Sequence, residues 1–416
     1  MGKLKHWGAR ILLILSVIGP GIITANADND AGGISTYSIV GAHYGYSLLW
    51  VLFLITFSLG ITQEFGMRLG IVTGKGLAAL IREKFGVKLT VFAMFTMLVA
   101  NLGTITAEFS GVAASFSLIG VSKYFAVPFF ALIVWFILYK GSFKKAEKIF
   151  LLLSSFYIVY IIAGFMVKPD FGAAATALVT PSFHFDIKYL IAFIALIGTT
   201  ITPWGQFFVQ SYVVDKGVRS KHLNISRFEA YFGAIITNLV SFFIIVTTAN
   251  VLFKYGLTIT SAGDAALALR PLAGEFAQFL FAFGLFSASM LGALILPVAT
   301  AYAICEAFGW ESGFNLNWSR GRIFYSLIIF SIVIPSAIVL LPCVNLMFLM
   351  LMSQAVNGML LPVILIYLMR LMNDKELLGK HVNGMIVNVV AGITVVGLIA
   401  ASIILMGVSF FPQLTM

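Results

Sequence analysis

Polar positions in this chain are gathered into short clusters between long apolar runs, and the runs set the architecture. A bilayer core about 30 Å thick is crossed by roughly 20 apolar residues of helix. The pattern predicts eleven transmembrane helices, at about 11–40, 48–70, 89–118, 126–139, 149–167, 188–212, 229–253, 276–305, 323–342, 345–369 and 384–410. The connections are short except 167–188 and 254–275. Within the second, the spacing of Ser261–Pro271 predicts a short amphipathic helix along the membrane surface. No low-complexity linker divides the chain, so a single transmembrane domain over 1–416 is expected.

Two of the runs are interrupted. In the first, Gly19-Pro20-Gly21-Ile22-Ile23-Thr24-Ala25-Asn26-Ala27-Asp28-Asn29-Asp30-Ala31-Gly32-Gly33 lies between the apolar stretches Ile11–Ile23 and Ile34–Val40. A carboxylate at mid-bilayer costs roughly 2.5–3.5 kcal/mol on insertion scales, and Asp28 and Asp30 are two of them. Asn26, Asn29, Gly32 and Gly33 disfavour helix around them. Unwound backbone at that depth survives only where protein buries it or water lines it. The stretch therefore predicts a broken helix whose gap is an ion site; the alternative is a polar re-entrant loop with no ligand. The second interruption, Ile197–Gln206, carries Pro203, which removes a backbone hydrogen bond, beside Gly198, Gly205 and three threonines. Alone it reads equally well as a kink. Its position adds weight, because run six opens a second set of five as run one opens the first. Paired interruptions of this kind point to an inverted-repeat transporter with a midplane site. The repeats would cover about 10–167 and 188–370, with an extra helix at about 384–410.

Composition narrows the class. The chain is 60% hydrophobic and 10% charged, against about 25% charged in a soluble domain, which excludes a soluble fold. Its net charge of +10 would suit nucleic acid, but the distribution argues otherwise. Alternating the runs across a bilayer places 21 of the 26 lysines and arginines on one side, leaving only Lys123, Lys168, Lys188, Lys254 and Arg270 on the other. That asymmetry predicts a cytoplasmic N-terminus and an outside C-terminus in the plasma (inner) membrane, with no nucleic-acid partner. Met1–Arg10 is basic, yet Pro20 and the acidic cluster follow the apolar run in place of a cleavage site, so run one reads as a retained span. Cys305 and Cys343 are too few for a metal cage or disulfide framework. Trp7, Trp50, Trp135, Trp310 and Trp318 fall near the expected interfaces.

Further motifs carry a resemblance. Gly19-Pro20-Gly21 with Asp30 nine residues on, Gly45-Tyr46-Ser47-Leu48-Leu49-Trp50, and Arg68-Leu69-Gly70-Ile71-Val72-Thr73-Gly74 resemble the Nramp divalent-metal transporters. Glu306-Ala307-Phe308, Ser353-Gln354-Ala355-Val356 and Leu361-Pro362 extend the likeness to roughly residues 10–370. The resemblance implies an all-α membrane fold of the leucine-transporter type: a 5+5 inverted repeat with helices one and six broken, plus one extra helix. Nramp proteins carry Asp-Pro-Gly-Asn in helix one and Met-Pro-His in helix six, whereas this chain has Asp30-Ala31-Gly32-Gly33 and Thr202-Pro203-Trp204. Gly33 thus stands for the asparagine, Thr202 for the methionine and Trp204 for the histidine. These departures are similar to those of the Nramp-related magnesium transporters.

The implied metal ligands are Asp30, the Thr199 carbonyl, the Thr202 hydroxyl and the Gln354 amide, with Asp28, Gly33, Gln206, Trp204 and Glu108 as possible additions. The first four donors are all oxygen, as is the Gln206 amide. A thioether helps select softer ions, and without it the set suits Mg2+, which prefers octahedral oxygen and keeps much of its water, as well as Mn2+. The expected partners are the divalent cation as cargo and the lipid bilayer, with no resident cofactor. In Nramp proteins protons leave the helix-one aspartate and helix-six histidine through helix-three acids toward helix-nine arginines. Here Glu108 matches one acid, Ile105 replaces another, and Arg320 and Arg322 lie at a cytoplasmic end. The resemblance with these departures implies uptake driven by the membrane potential without proton coupling.

Glu108 and Glu64 read first as structural partners within the bundle, and the histidines as surface groups. One rival is a proton-coupled Mn2+/Fe2+ transporter. Another is a cation-coupled amino-acid symporter on the same fold, which two acids at the gap disfavour. A signalling receptor with a similar membrane domain would add a large soluble region. An enzyme is not expected, since no HExxH, zinc-ligand cluster or nucleophile with a base is present.

Overall fold

The computed structural model describes residues 29–140, 158–184, 186–313 and 316–410. Asp28, Trp7 and the leading half of run one lie outside the described residues, as does much of run five.

In hydrocarbon each backbone N–H and C=O must be bonded within its own segment, so the apolar runs become helices. They are α1 (Ala31–Tyr44), α2 (Leu49–Thr73), α3 (Leu77–Ser117), α4 (Lys123–Lys140), α5 (Ile158–Met166), α6 (Phe171–Val179), α7 (Ile187–Thr200), α8 (Pro203–Asp215), α9 (Leu223–Val251), α10 (Ala277–Phe308), α11 (Arg322–Leu340), α12 (Leu346–Met372) and α13 (Met385–Phe410). Among the described residues nine helical segments are long and apolar enough to cross a membrane, counting α7 and α8 together. The protein is a multi-pass membrane protein. The eleven expected spans are thus nine in full, with the first and fifth only partly described.

The two long connections both contain helix. The 167–188 stretch, read as a loop, contains α6, whose first turn is capped by Asp170 accepting from Ala173 N at 2.9 Å. α5 and α6 meet at a bend of 116°. Nine residues are too few to signal a span, so periodicity passed over them. The Ser261–Pro271 segment is helical, opening on a capping box between Ser261 and Asp264. One side of it packs against the bundle, with Ala262, Ala265, Ala266, Ala268 and Leu269 all buried. Small residues on that side let it pack closely.

The bundle core is mostly apolar with polar side chains buried among it, and the outer surface is apolar. α3 packs along α10 and α12, α9 along α2 and α1, and α7 along α12. The outer helices α4 and α13 present Phe125, Leu132, Phe136, Ile393 and Val396 to the surroundings. Buried acids need partners in such a core, and Glu64 has two. Its Oε2 accepts from Arg68 Nη2 and its Oε1 from Arg227 Nε, each at 2.8 Å. Arg68 also donates to Asn383 Oδ1 and the His381 carbonyl, at 2.6 and 2.7 Å, joining α2 and α9 to the turn after α12. Outside the spans, Lys84 bridges Asp374 and Glu376, and its hydrogen bond holds the Asp374 carboxyl below its ordinary range. Trp135, Tyr139, Trp318 and Tyr325 stack together where α4 meets α11, as interfacial aromatics do.

The charge pattern puts Cys343, in the turn between α11 and α12, on the outside. Cys343 is exposed and Cys305 is buried. A membrane-impermeant maleimide applied to intact cells should label the protein once, and Cys343→Ser should abolish the label. Labelling seen only after permeabilisation would invert the topology.

Candidate metal site at the helix breaks

Asp30 is the N-cap of α1. Its extended backbone (φ −66°, ψ −174°) precedes the first helical turn, and its Oδ1 accepts from Gly33 N at 2.6 Å. The chain before it is fastened by Asn29, whose Nδ2 donates to the Thr237 carbonyl at 3.1 Å and whose Oδ1 accepts from Ser241 Oγ at 2.9 Å, both on α9. Capping accounts for one carboxylate oxygen only. Oδ2 is buried, and no N–H or hydroxyl among the described residues donates to it.

Glu108 of α3 lies against this cap. Its Oε2 accepts from Ala31 N at 3.3 Å, its carboxyl interacts directly with that of Asp30, and its Oε1 is also buried without a hydrogen-bond partner. Among the described residues no lysine or arginine pairs with either acid. Glu64 and Glu108 therefore differ: the first is neutralised by arginines, and the second faces another acid.

The second break lies at Ile201 and Thr202, both extended, between α7 and α8. In a continuous helix the Thr199 carbonyl would accept from the N–H of residue 203, and Pro203 has none. Its oxygen thus lacks the usual helical donor, and Thr199 Oγ1 is buried without a partner among the described residues. Thr202 is the buried N-cap of α8 and makes no side-chain cap bond. The end of α7 is tied to α1 by a hydrogen bond between the Tyr37 and Thr200 hydroxyls at 3.1 Å.

Gln354 of α12 joins the two breaks. A Cβ on Gly32 would collide with the Gln354 side-chain amide, and one on Gly198 would collide with the Gln354 backbone carbonyl. Glycine at both positions lets α12 reach α1 and α7 at once. The amide is braced from behind: Asn357 Nδ2 donates to Gln354 Oε1 and to Thr104 Oγ1, each at 2.8 Å. As placed, Gln354 turns Nε2 toward α1, and both that nitrogen and Asn357 Oδ1 lack partners. Rotating both amides by half a turn keeps their mutual bond and presents Gln354 Oε1 to the gap.

The structure thus gathers Asp30, Gly33, Glu108, Gln354 and the end of α7 with Thr199, and it holds Thr202 in the second break. Trp204 and Gln206 are fully buried on α8, but their side-chain polar atoms have no hydrogen-bond partner at all, so no bond links them to the acids. Trp204 packs its ring toward Phe208 at 6.0 Å. Asp28 lies outside the described residues. His43, expected at the surface, is half-buried in the last turn of α1 and accepts from Ile259 N at 3.2 Å.

The family profile described as "Nramp: Natural resistance-associated macrophage protein-like" matches residues 21–407. The chain belongs to the Nramp family. A curated relative, the divalent metal cation transporter MntH of Pectobacterium carotovorum, is 26% identical over 381 residues, covering 89% of each chain. A crystal structure of the Eremococcus coleocola manganese transporter superposes with a TM-score of 0.78 at 22% identity, covering 94% of this chain and 86% of that one. Mhp1, a nucleobase-cation-symport-1 family transporter, superposes more loosely, with a TM-score of 0.54 at 12% identity and 95% of this chain covered. These neighbours share the leucine-transporter fold, so the fold class expected from the paired interruptions is correct. In this Nramp chain the supporting residues Asn29, Thr104 and Asn357 carry no sequence signal of their roles, because buried amides and hydroxyls are common in membrane bundles.

Gly198→Ala should overpack the α7–α12 contact and destabilise the protein by about 1–3 kcal/mol. Thermal unfolding of the purified protein would register it, and an unchanged midpoint would show that α12 moves aside freely.

Proposed function

We propose that the protein imports a divalent metal cation, Mg2+ with Mn2+ also accepted, through the gap between α1, the α7–α8 break and α12. The observation that carries this reading is the Asp30–Glu108 pair, two buried acids whose carboxyls meet each other and that, among the described residues, have no basic side chain to balance them. Like charges in a low-dielectric site are strongly unfavourable unless a proton or cation intervenes. The α7 C-terminus adds the negative end of its dipole and the Thr199 carbonyl, while Asp30 offsets the positive end of α1. The relatives' names support a divalent metal as cargo.

The donors are all hard. Asp30 supplies charge, while Thr199, Thr202 and the rotated Gln354 amide supply neutral oxygens. Gly33 and Thr202 replace larger side chains of the family pattern, which favours a cation that keeps part of its hydration shell. Trp204 has an indole N–H that donates but cannot accept a proton, and Ile105 is inert, so the membrane potential is taken as the driving force. A divalent ion gains about 4.6 kcal/mol crossing inward through 100 mV, at about 2.3 kcal/mol per charge. A second reading, proton-coupled Mn2+ transport, is favoured by one observation: Glu108 touches Asp30, so the pair has a place to hold a proton when the metal leaves.

One experiment separates them. Proteoliposomes loaded with a pH-sensitive dye and held inside-negative should take up Mn2+ or Mg2+ without acidifying the lumen. Acidic medium outside should slow uptake, because protons compete for the acid pair. Stoichiometric lumen acidification, with uptake speeded by outside acid, would favour the coupled reading. Asp30→Asn should cut uptake by about tenfold or more, equivalent to about 1.4 kcal/mol or more of lost stabilisation. Near-normal flux in that variant would remove the site from these breaks.

Selectivity follows from the same donors. Gly33→Asn with Thr202→Met should raise Mn2+ or Cd2+ affinity relative to Mg2+, since a soft ligand enters and hydration space shrinks. Calorimetry on the purified variant would test it, and an unchanged order of affinities would place selectivity elsewhere.

A further inference from the structure

A second set of acids lies at the end of α8 and α10 that the charge pattern assigns to the cytoplasm. On α8 the residues are Ser211 and Asp215, and on α10 they are Tyr302 and Glu306. Residues four apart share a helix face. The pairs are bonded crosswise: Ser211 Oγ donates to Glu306 Oε1 at 2.8 Å, and the Tyr302 hydroxyl donates to Asp215. The two carboxylates interact with each other, and among the described residues neither forms an ion pair. The neighbouring cations are engaged elsewhere. Lys75 binds Glu83 at 2.7 Å, Arg82 donates to the Ala307 carbonyl at 3.3 Å, and Lys216 lies over the Tyr212 ring.

Two acceptors at this place have no donor. Glu306 Oε2 is buried without a hydrogen-bond partner and abuts Gly76, where any Cβ would displace it. Gln210 is fully buried, and its Nε2 donates at 2.8 Å to the carbonyl of Lys75, the residue before Gly76. Its Oε1 is left without a partner. Buried acceptors thus outnumber donors around the Lys75–Gly76 turn, and Asp215 is open to solvent beside them. α8 has 13 residues, so this end lies roughly 20 Å along its axis from the Thr202 break, at about 1.5 Å per residue.

We propose that Glu306 and Asp215, with Ser211 and Gln210, form a second site for a hard divalent cation, a staging position between the midplane breaks and the cytoplasm. Carboxylate, amide and hydroxyl oxygens suit such an ion. The staging role rests on the transport reading above; the binding site itself does not.

The test is manganese binding to the full chain in lipid nanodiscs, read from loss of the free Mn2+ signal in electron paramagnetic resonance. Asp30→Asn removes the midplane charge and should still bind one Mn2+ per chain, displaced by excess Mg2+. Adding Glu306→Gln or Asp215→Asn should weaken that binding at least tenfold. Asp215 is exposed, so its variant keeps the core intact, and size-exclusion profiles check both. No bound Mn2+ in Asp30→Asn, or binding indifferent to both added substitutions, would overturn the second site. Failure of the transport reading shows differently, as undiminished uptake by Asp30→Asn.

Discussion

A carboxylate that caps a helix inside the membrane is the constraint around which this protein is arranged. The first N–H groups of α1 have no intrahelical partners, and at membrane depth water does not supply them. Asp30 meets part of that need through the Gly33 N–H. The same choice puts a charge where a charge is expensive, and Glu108 adds a second one instead of a counterion. Among the described residues no basic side chain balances the pair, and the proposed function assigns that role to the cargo. A divalent cation would fill that role, and a proton would fill half of it.

The contrast with Glu64 shows that depth alone does not make an acid functional. Glu64 is as deep in the bundle as the residues around it, yet two arginines reach its two oxygens. Removing one partner of such a pair would strand a charge, which makes it a structural tie between α2 and α9. Asp30 and Glu108 at the midplane, like Asp215 and Glu306 at the far end of α8, have hydroxyl, amide or backbone neighbours but no basic one. Acid pairs with no basic partner among the described residues recur at two places in the bundle, and oxygen donors accompany them at both.

The first site is also shared among helices that move independently in principle. Asp30 belongs to α1, Glu108 to α3, Thr199 and Thr202 to the α7–α8 break, and Gln354 to α12. Close contacts at Gly32 and Gly198 hold α12 against both breaks, and the Tyr37–Thr200 bond closes α1 on α7. A displacement of α1 against α12 would separate Asp30 from Gln354 and change the coordination of anything between them. Under the proposed function, binding and helix position would be linked through these differential contacts.

Much of this was written in the chain itself. Apolar run length determined the spans, because hydrocarbon admits little except helix. Asp30 among Asn29, Gly32 and Gly33 marked the start of α1 and Pro203 the break between α7 and α8, and the missing N–H of Pro203 by itself removes the Thr199 carbonyl's helical donor. The family motifs reached the fold for the same reason: they mark where backbone departs from helix. What the sequence left open was partnership. Glu64 and Glu108 look alike in sequence, and only the packing of α2 on α9 and of α3 on α1 decided that one meets arginines and the other an acid. The short helix α6 and the packing of the Ser261–Pro271 segment on the bundle were hidden because alanine-rich stretches fit lipid, loop or core equally well. The bond from Asn357 to Thr104 behind Gln354, and the crossed bonds between α8 and α10, join residues more than 80 apart. Side-chain contacts over such distances leave no periodic trace, so tertiary structure alone determines them.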